Sequence, residues 1–215
     1  MMNMPRTRPF DEQYERYEEW FEKNRFAYHS ELRALQHFVP AQGHGIEIGI
    51  GSGRFAQPLG IELGVEPSKS MRKLARKRGL RVYDAVAERL PFEREQFDFV
   101  LMVTTICFLD DIRTSFREVR RVLKKGGCFI IGFVDKGSSL GQSYEKHRDT
   151  NIFYREATFY ETGEVLFLLQ ELGFEDPKEI QTIFGELSEV NEVQEFTEGY
   201  GEGGFVVIRV ENRWA

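Results

Sequence analysis

Hydrophobic positions along the chain follow two periods. From residue 10 to 39, Phe10, Tyr14, Tyr17 and Phe21 recur at spacings of four and three, followed by Leu32, Leu35, Phe38 and Val39. This spacing predicts two helices meeting near Asn24 to Ala27, with the acidic residues 11, 12, 15, 18, 19 and 22 on the outer face of the first. Pro40 and the run AQGHG end the second helix. Beyond them, strand-like runs alternate with helix-like ones. The strands predicted are GIEIGI, IELGVE, LRVYDA, FDFVLMV and CFIIGFV, and the helices are SGRFAQPL, SKSMRKLARKRG, IRTSFREVRRVLKKG and ETGEVLFLLQELG. FDFVLMV and CFIIGFV are almost wholly apolar, as strands covered on both faces must be, and the alternation predicts a parallel α/β sheet. KEIQTIFGEL and FVVIRV follow, joined by a polar, glycine-rich connection unsuited to a packed crossover helix, so an antiparallel pair at the sheet edge is expected.

Composition narrows the function classes. With 215 residues, 41% hydrophobic and 13% aromatic, the chain can bury a full core and is read as one domain over 1–215. Within it, 1–39 form an N-terminal helical lid, 43–135 the core, 136–161 an insertion and 162–215 a C-terminal helix with edge strands. A formal net charge of −6 argues against broad binding to nucleic acid or anionic membranes and favours a small-molecule partner. The two cysteines, Cys107 and Cys128, lie in apolar runs and are expected as packed thiols in a cytoplasmic protein. No His/Cys spacing fits a metal, and no stretch reads as a signal or a membrane span.

Candidate chemistry concentrates in GIEIGIGSG, residues 45–53, where the first strand meets its following turn. In an open parallel sheet, ligands bind at this end of the strands. The dinucleotide fingerprint G-x-G-x-x-G is not met, because Ser52 or Arg54 stands where its third glycine belongs. Glu47, Gly49, Gly51 and Gly53 instead form E-x-G-x-G-x-G, which resembles the motif of class I S-adenosylmethionine-dependent methyltransferases. Further landmarks of that family follow in order: GVEPSKSM with Glu66 and Pro67 at the tip of the second strand, AVAERLPF, FDFVLMVTTICFLDD and RRVLKKGGCFIIGFV.

The resemblance implies a Rossmann-like doubly wound sheet of seven strands, mostly parallel with an antiparallel edge strand, flanked by helices and covered by the N-terminal lid. It implies S-adenosylmethionine as cofactor, with Glu47 near its amino-acid end, the three glycines admitting it to the backbone, Glu66 on its ribose hydroxyls, and Ala87 and Glu88 against adenine. Thr104 and Thr105 would lie near the transferred methyl group, Tyr17 would touch the cofactor from the lid, and Gly126 and Gly127 would stop the helix before the fifth strand. Only RFAQPLGIELGV separates Gly53 from Glu66, so the first helix is short and carries Pro58.

Methyl transfer from a sulfonium is an in-line displacement that needs alignment and exclusion of water more than a catalytic base. No catalytic residue is therefore assigned. Acceptor-side candidates are Tyr14, Tyr17, Thr104, Thr105, Tyr144, His147 and Arg148, although Tyr14 and Tyr17 share a packing stripe and His147 reads more readily as an exposed loop residue. The basic runs 69–81 and 117–125 fall on helices expected on opposite faces, which disfavours one nucleic-acid groove. The leading reading is a methyltransferase of a small-molecule acceptor, acting as monomer or homodimer. The alternatives are a cofactor-binding regulatory protein without turnover and a nicotinamide-dependent oxidoreductase.

Overall fold

The computed structural model describes residues 6–213. Three helices open the chain: α1 (Arg8–Glu12), α2 (Tyr14–Lys23) and α3 (Arg25–Phe38). The break between α2 and α3 falls at Asn24, where the aromatic stripe changes phase, and a further break at Gln13 separates α1. The sheet strands are β1 (Gly45–Ile48), β2 (Leu63–Val65), β3 (Arg81–Tyr83), β4 (Phe97–Val103), β5 (Leu123–Val134), β6 (Glu175–Thr182), β7 (Thr197–Glu198) and β8 (Phe205–Glu211). Between them lie α4 (Lys69–Lys77), α5 (Ile112–Val122), α6 (Ser139–Lys146) and α7 (Thr162–Glu171).

Among the described residues, eight strands form one sheet in the order β3-β2-β1-β4-β5-β8-β6-β7. The expected count was seven; the eighth is β7, a two-residue strand at the edge. β1 to β5 are mutually parallel, β8 runs antiparallel between β5 and β6, and β7 is antiparallel to β6. The architecture is thus a mostly parallel, doubly wound α/β sheet with an antiparallel edge and flanking helices.

Alternation along β4 explains its unbroken apolar run. Val100 and Met102 join Phe116, Val119 and Val122 of α5 and Val165 and Leu169 of α7 on one face. Phe99, Leu101 and Val103 join Ala34 and Leu35 of α3 and Ala75 of α4 on the other. Each fully buried side chain of this kind contributes about 1.5–3 kcal/mol. The two basic runs therefore ride on helices over opposite faces of the sheet.

Two expectations are corrected. Residues 52–59 form a series of turns, not a helix, because Pro58 lacks a donor, Gly60 has φ +72° and few residues remain before β2. Phe55 and Ala56 are nevertheless buried, packed with Phe21 and Tyr28 of the N-terminal helices. Nor do Gly126 and Gly127 end α5, which stops at Val122. They lie in a bulge within β5, where the register to β4 shifts between Phe97 and Phe99. A Cβ on Gly127 would stand 2.8 Å from the Asp98 carbonyl oxygen, so close strand approach explains that glycine.

The bulge is held by a residue with no motif signature. Asn212, 4% exposed, donates its side-chain amide to the carbonyls of Arg120, Leu123 and Lys124 at 3.2–3.3 Å. Its own backbone exchanges hydrogen bonds with Gly126 and Gly127. Asn212→Ala would leave several buried acceptors unpaired, so a loss of about 1–3 kcal/mol in denaturant unfolding is expected.

Candidate functional site

At the C-terminal ends of β1, β2 and β4 the sheet opens into a cavity of 1210 Å³. Its floor is the turn after β1. Gly49 and Ile50 both donate to the Val65 carbonyl, which pins the start of the turn to β2. Gly49 and Gly51 then adopt φ of +70° and +54°, a left-handed backbone that side chains disfavour. A Cβ on Gly49 would lie 2.4 Å from Thr105 Oγ1, and one on Gly51 would lie 3.2 Å from the Tyr17 hydroxyl. The turn is thus a half-buried stretch of backbone between two walls, with room that only glycine leaves.

Glu66 fastens this floor. Its Oε2 accepts from Gly51 N at 2.9 Å and its Oε1 from Ser68 N at 2.8 Å. Burial pushes its carboxyl up to about 7, against the pull of those amides and of Arg72. Arg72 in turn donates to the Glu66 and Pro67 carbonyls at 2.8 Å and to Asp84 at 2.6 Å, holding the strand tip. Ser68 caps α4 by accepting from Met71 N.

Of the residues singled out by sequence, Tyr17, Gly49, Gly51, Glu66, Pro67, Ala87, Glu88 and Thr104 all line the cavity. Glu88 is partly committed, since its Oε1 accepts from Asp110 N and Asp111 N at 3.0 and 3.2 Å. Thr104 has φ +47° and donates its amide to the Gly132 carbonyl. Gly53 and Glu47 do not line the cavity. A Cβ on Gly53 would meet Leu80 Cδ1 at 2.3 Å, so its requirement is packing. Glu47, 1% exposed, keeps Oε2 without a partner among the described residues, and burial pushes its carboxyl well above the usual range. Tyr144 and Thr105 line the cavity, whereas His147 is exposed and Arg148 pairs with Glu145. Tyr14, 36% exposed, is also outside it.

The N-terminal helices roof the cavity and are clasped at two points. Asp11 accepts from Ser68 Oγ at 2.7 Å and Ser70 N at 2.9 Å. Glu18 accepts from Ser52 Oγ, from Arg54 Nε at 3.0 Å and from Arg78 Nη2 at 2.5 Å. Burial opposes ionisation of Glu18, but these donors outweigh it and hold its carboxyl below the usual range. Between the clasps, Tyr17 packs edge-on against Phe10 and Phe21 at 6.0 and 5.2 Å. Burial first, then the nearby Glu66 and Glu47, push the Tyr17 hydroxyl up, so it stays neutral.

Sequence reasoning missed Trp20, Glu31, Phe153 and Tyr154, all on the cavity wall. Glu31 was legible in part, because it shares the α3 stripe of Ala27, Ala34 and Leu35 at spacings of four, three and four. It is 5% exposed, and burial alone pushes its carboxyl up to about 8. Among the described residues there is no cluster of His, Cys, Asp or Glu that could hold a metal, and no helix long and apolar enough to cross a membrane.

The Glu31 shift fixes a pH dependence. The unfolded chain ionises this carboxyl above about pH 4.5, whereas the folded chain does so only near pH 8. Folding stability contributed by the protonated group is complete below pH 4.5 and is lost as pH rises to about 8. Glu31→Gln removes that loss, so its melting temperature is expected to exceed the wild type's by several degrees near pH 8 and to match it near pH 4.5. Thermal unfolding followed across this range checks the difference; equal slopes for the two proteins would contradict it.

Comparison with known proteins agrees with this geometry. Residues 46–131 match the family model described as a methyltransferase domain. A solved S-adenosylmethionine-dependent methyltransferase of Thermotoga maritima is similar at 50% identity and TM-score 0.93, over 95% of this chain and 98% of that one. An uncharacterised protein of Methanocaldococcus jannaschii is 47% identical over 94% of this chain and 98% of its own length. A phosphoethanolamine N-methyltransferase of Haemonchus contortus shares the fold, with TM-score 0.62 and 18% identity over 84% of this chain and 52% of that one. The chain belongs to the S-adenosylmethionine-dependent methyltransferases, and it is an enzyme that uses S-adenosylmethionine.

Proposed function

We propose that the enzyme methylates a small-molecule acceptor held beside the cofactor under the N-terminal lid. The observation that carries this reading is the cavity itself: one chamber of 1210 Å³ that begins at the glycine turn and continues beneath α2 to aromatic side chains of residues 136–161. A roof clasped by Asp11 and Glu18 suits a ligand that can be enclosed, and a polymer would need an open groove. The Thermotoga maritima relative is described as a possible histamine N-methyltransferase, which also favours a small acceptor.

The residues present fit the cofactor. Gly49 and Gly51 form a cradle that a Cβ would fill. Glu66 spends one hydrogen bond per oxygen on the backbone, which leaves further lone pairs for the ribose hydroxyls. Pro67 and Ala87 would flank the adenosine, with the uncommitted oxygen of Glu88 at its edge. Glu47 lies beneath the turn, where a positive amino-acid end would favour its ionised form, and Gly53 shapes the turn from behind. S-adenosylmethionine supplies a methyl carbon whose bond to sulfur breaks with the electron pair retained on sulfur, as the acceptor forms its bond to that carbon. The protein's part is alignment: Tyr17 over Gly51 and Thr104 after β4 confine the reacting groups, and the lid excludes water. Residues 6–39 then serve as lid, 43–135 as cofactor core and 136–161 as acceptor wall within one domain; positions 1–5 and 214–215 of the expected 1–215 lie outside the described residues. The family assignment removes the basis for a nicotinamide cofactor.

Calorimetry with S-adenosylhomocysteine tests the cofactor assignment. Glu66→Gln keeps the shape of the strand tip but loses its acceptor charge, and is expected to weaken binding on the order of 10- to 100-fold. Unchanged affinity would remove Glu66 from the site.

A further inference from the structure

Among the described residues, Glu31 is the one buried cavity-lining carboxylate that the cofactor reading leaves unused and without a partner; Glu19, also on the cavity wall, is exposed. Its side chain makes no hydrogen bond or ion pair among the described residues. The adjacent buried polar residue shows the contrast, since Ser30 donates to the Phe26 carbonyl at 2.7 Å and accepts from Gln194 N at 2.8 Å. Among the described residues only Glu47 and Thr162 keep a fully enclosed side-chain oxygen without a partner, so the Glu31 oxygens open to the cavity, where a ligand can complete them.

The surroundings say what that ligand is. Trp20 and Tyr17 from α2, Tyr144 from α6 and Tyr154 from the segment after it line the same cavity. The rings of Tyr144 and Tyr154 stack at 5.0 Å. Burial first, and the charge of Glu31 as a lesser cause, push up the hydroxyls of Tyr17, Tyr144 and Tyr154, and of Tyr28 on its own helix, so all four stay neutral. The cations that line the cavity do not neutralise it. Arg6 is drawn to Asp110 at 3.6 Å, and Arg16 and Lys23 are exposed side chains of the lid. A metal ion would need further ligands, and no such cluster exists among the described residues. A carboxylate in a cavity also lined by aromatic rings fits an organic ammonium, which gains an ion pair from the first and cation–π attraction from the second.

We propose that Glu31 recognises the acceptor, and that the acceptor is a small amine whose ammonium group pairs with the Glu31 carboxylate while an apolar or aromatic body lies among Trp20, Tyr144 and Tyr154. The same carboxylate receives one proton from the bound ammonium and passes it to water, which frees the nitrogen lone pair for methylation. This rests on the reading of the cavity as a cofactor site continuous with an acceptor site.

The test uses the full chain saturated with S-adenosylhomocysteine and titrated calorimetrically with 2-phenylethylamine, tyramine and the neutral 2-phenylethanol. Titrations near pH 7 in two buffers of different ionisation enthalpy count protons. The amines are expected to bind at least about tenfold tighter than the alcohol. Because Glu31 is mostly protonated in the free protein at that pH, amine binding should release about one proton. Glu31→Gln should abolish both the preference and the proton release while leaving S-adenosylhomocysteine affinity unchanged. The proposal is overturned if amine and alcohol bind alike, if no amine binds to protein that holds S-adenosylhomocysteine, or if the variant keeps the preference. It is also overturned if Glu31→Gln weakens S-adenosylhomocysteine instead, since Glu31 would then serve the cofactor. Failure of the wild type to bind S-adenosylhomocysteine at all would bring down the cofactor-site reading, and this proposal with it.

Discussion

Close approach of backbone at Gly49 and Gly51 is the constraint on which the rest of the site depends. Because neither residue carries a Cβ, Thr105 can press against the turn from β4 and the Tyr17 hydroxyl can descend onto it from the lid. The left-handed turn also presents Gly51 N to Glu66, so a carboxylate joins the tips of β1 and β2 just beyond the backbone bonds of Gly49 and Ile50 to Val65. Sheet, turn and roof therefore meet around one short stretch of chain, and the cavity is what remains between them.

Charge is distributed around that cavity in a consistent way. Glu18 and Asp11, which clasp the lid, have donors close by and are held in the ionised form. Glu31, Glu47 and Glu66 are buried and are pushed the other way. The first pair spends its charge on closing the roof. The second group keeps negative potential in reserve around a space whose cofactor carries a sulfonium, and a cationic ligand would draw these carboxyls back towards ionisation.

What could be read from sequence was whatever depends on local spacing. The apolar runs of β4 and β5, the E-x-G-x-G-x-G turn and the position of Glu66 after β2 all follow from period and order along the chain. Features decided by distant partners were not legible. Residues 52–59 carry a helix-like pattern, but their burial comes from Phe21 and Tyr28 of the roof, and Pro58 and Gly60 defeat the helix. Gly126 and Gly127 look like a helix stop and instead form a bulge fixed by Asn212, about ninety residues further along the chain. Glu31 has the spacing of a core position and the chemistry of a surface one. Only the fold shows that the core reading prevails.

Cofactor binding is expected to join the glycine turn to the lid. Hydrogen–deuterium exchange of the whole chain, with and without S-adenosylhomocysteine, tests it most directly. Slower exchange is predicted together at residues 8–23 of the lid, at 49–53 and at 66–68, with little change in β6 and β8. Protection confined to the turn, or found at the far edge of the sheet, would contradict the claim.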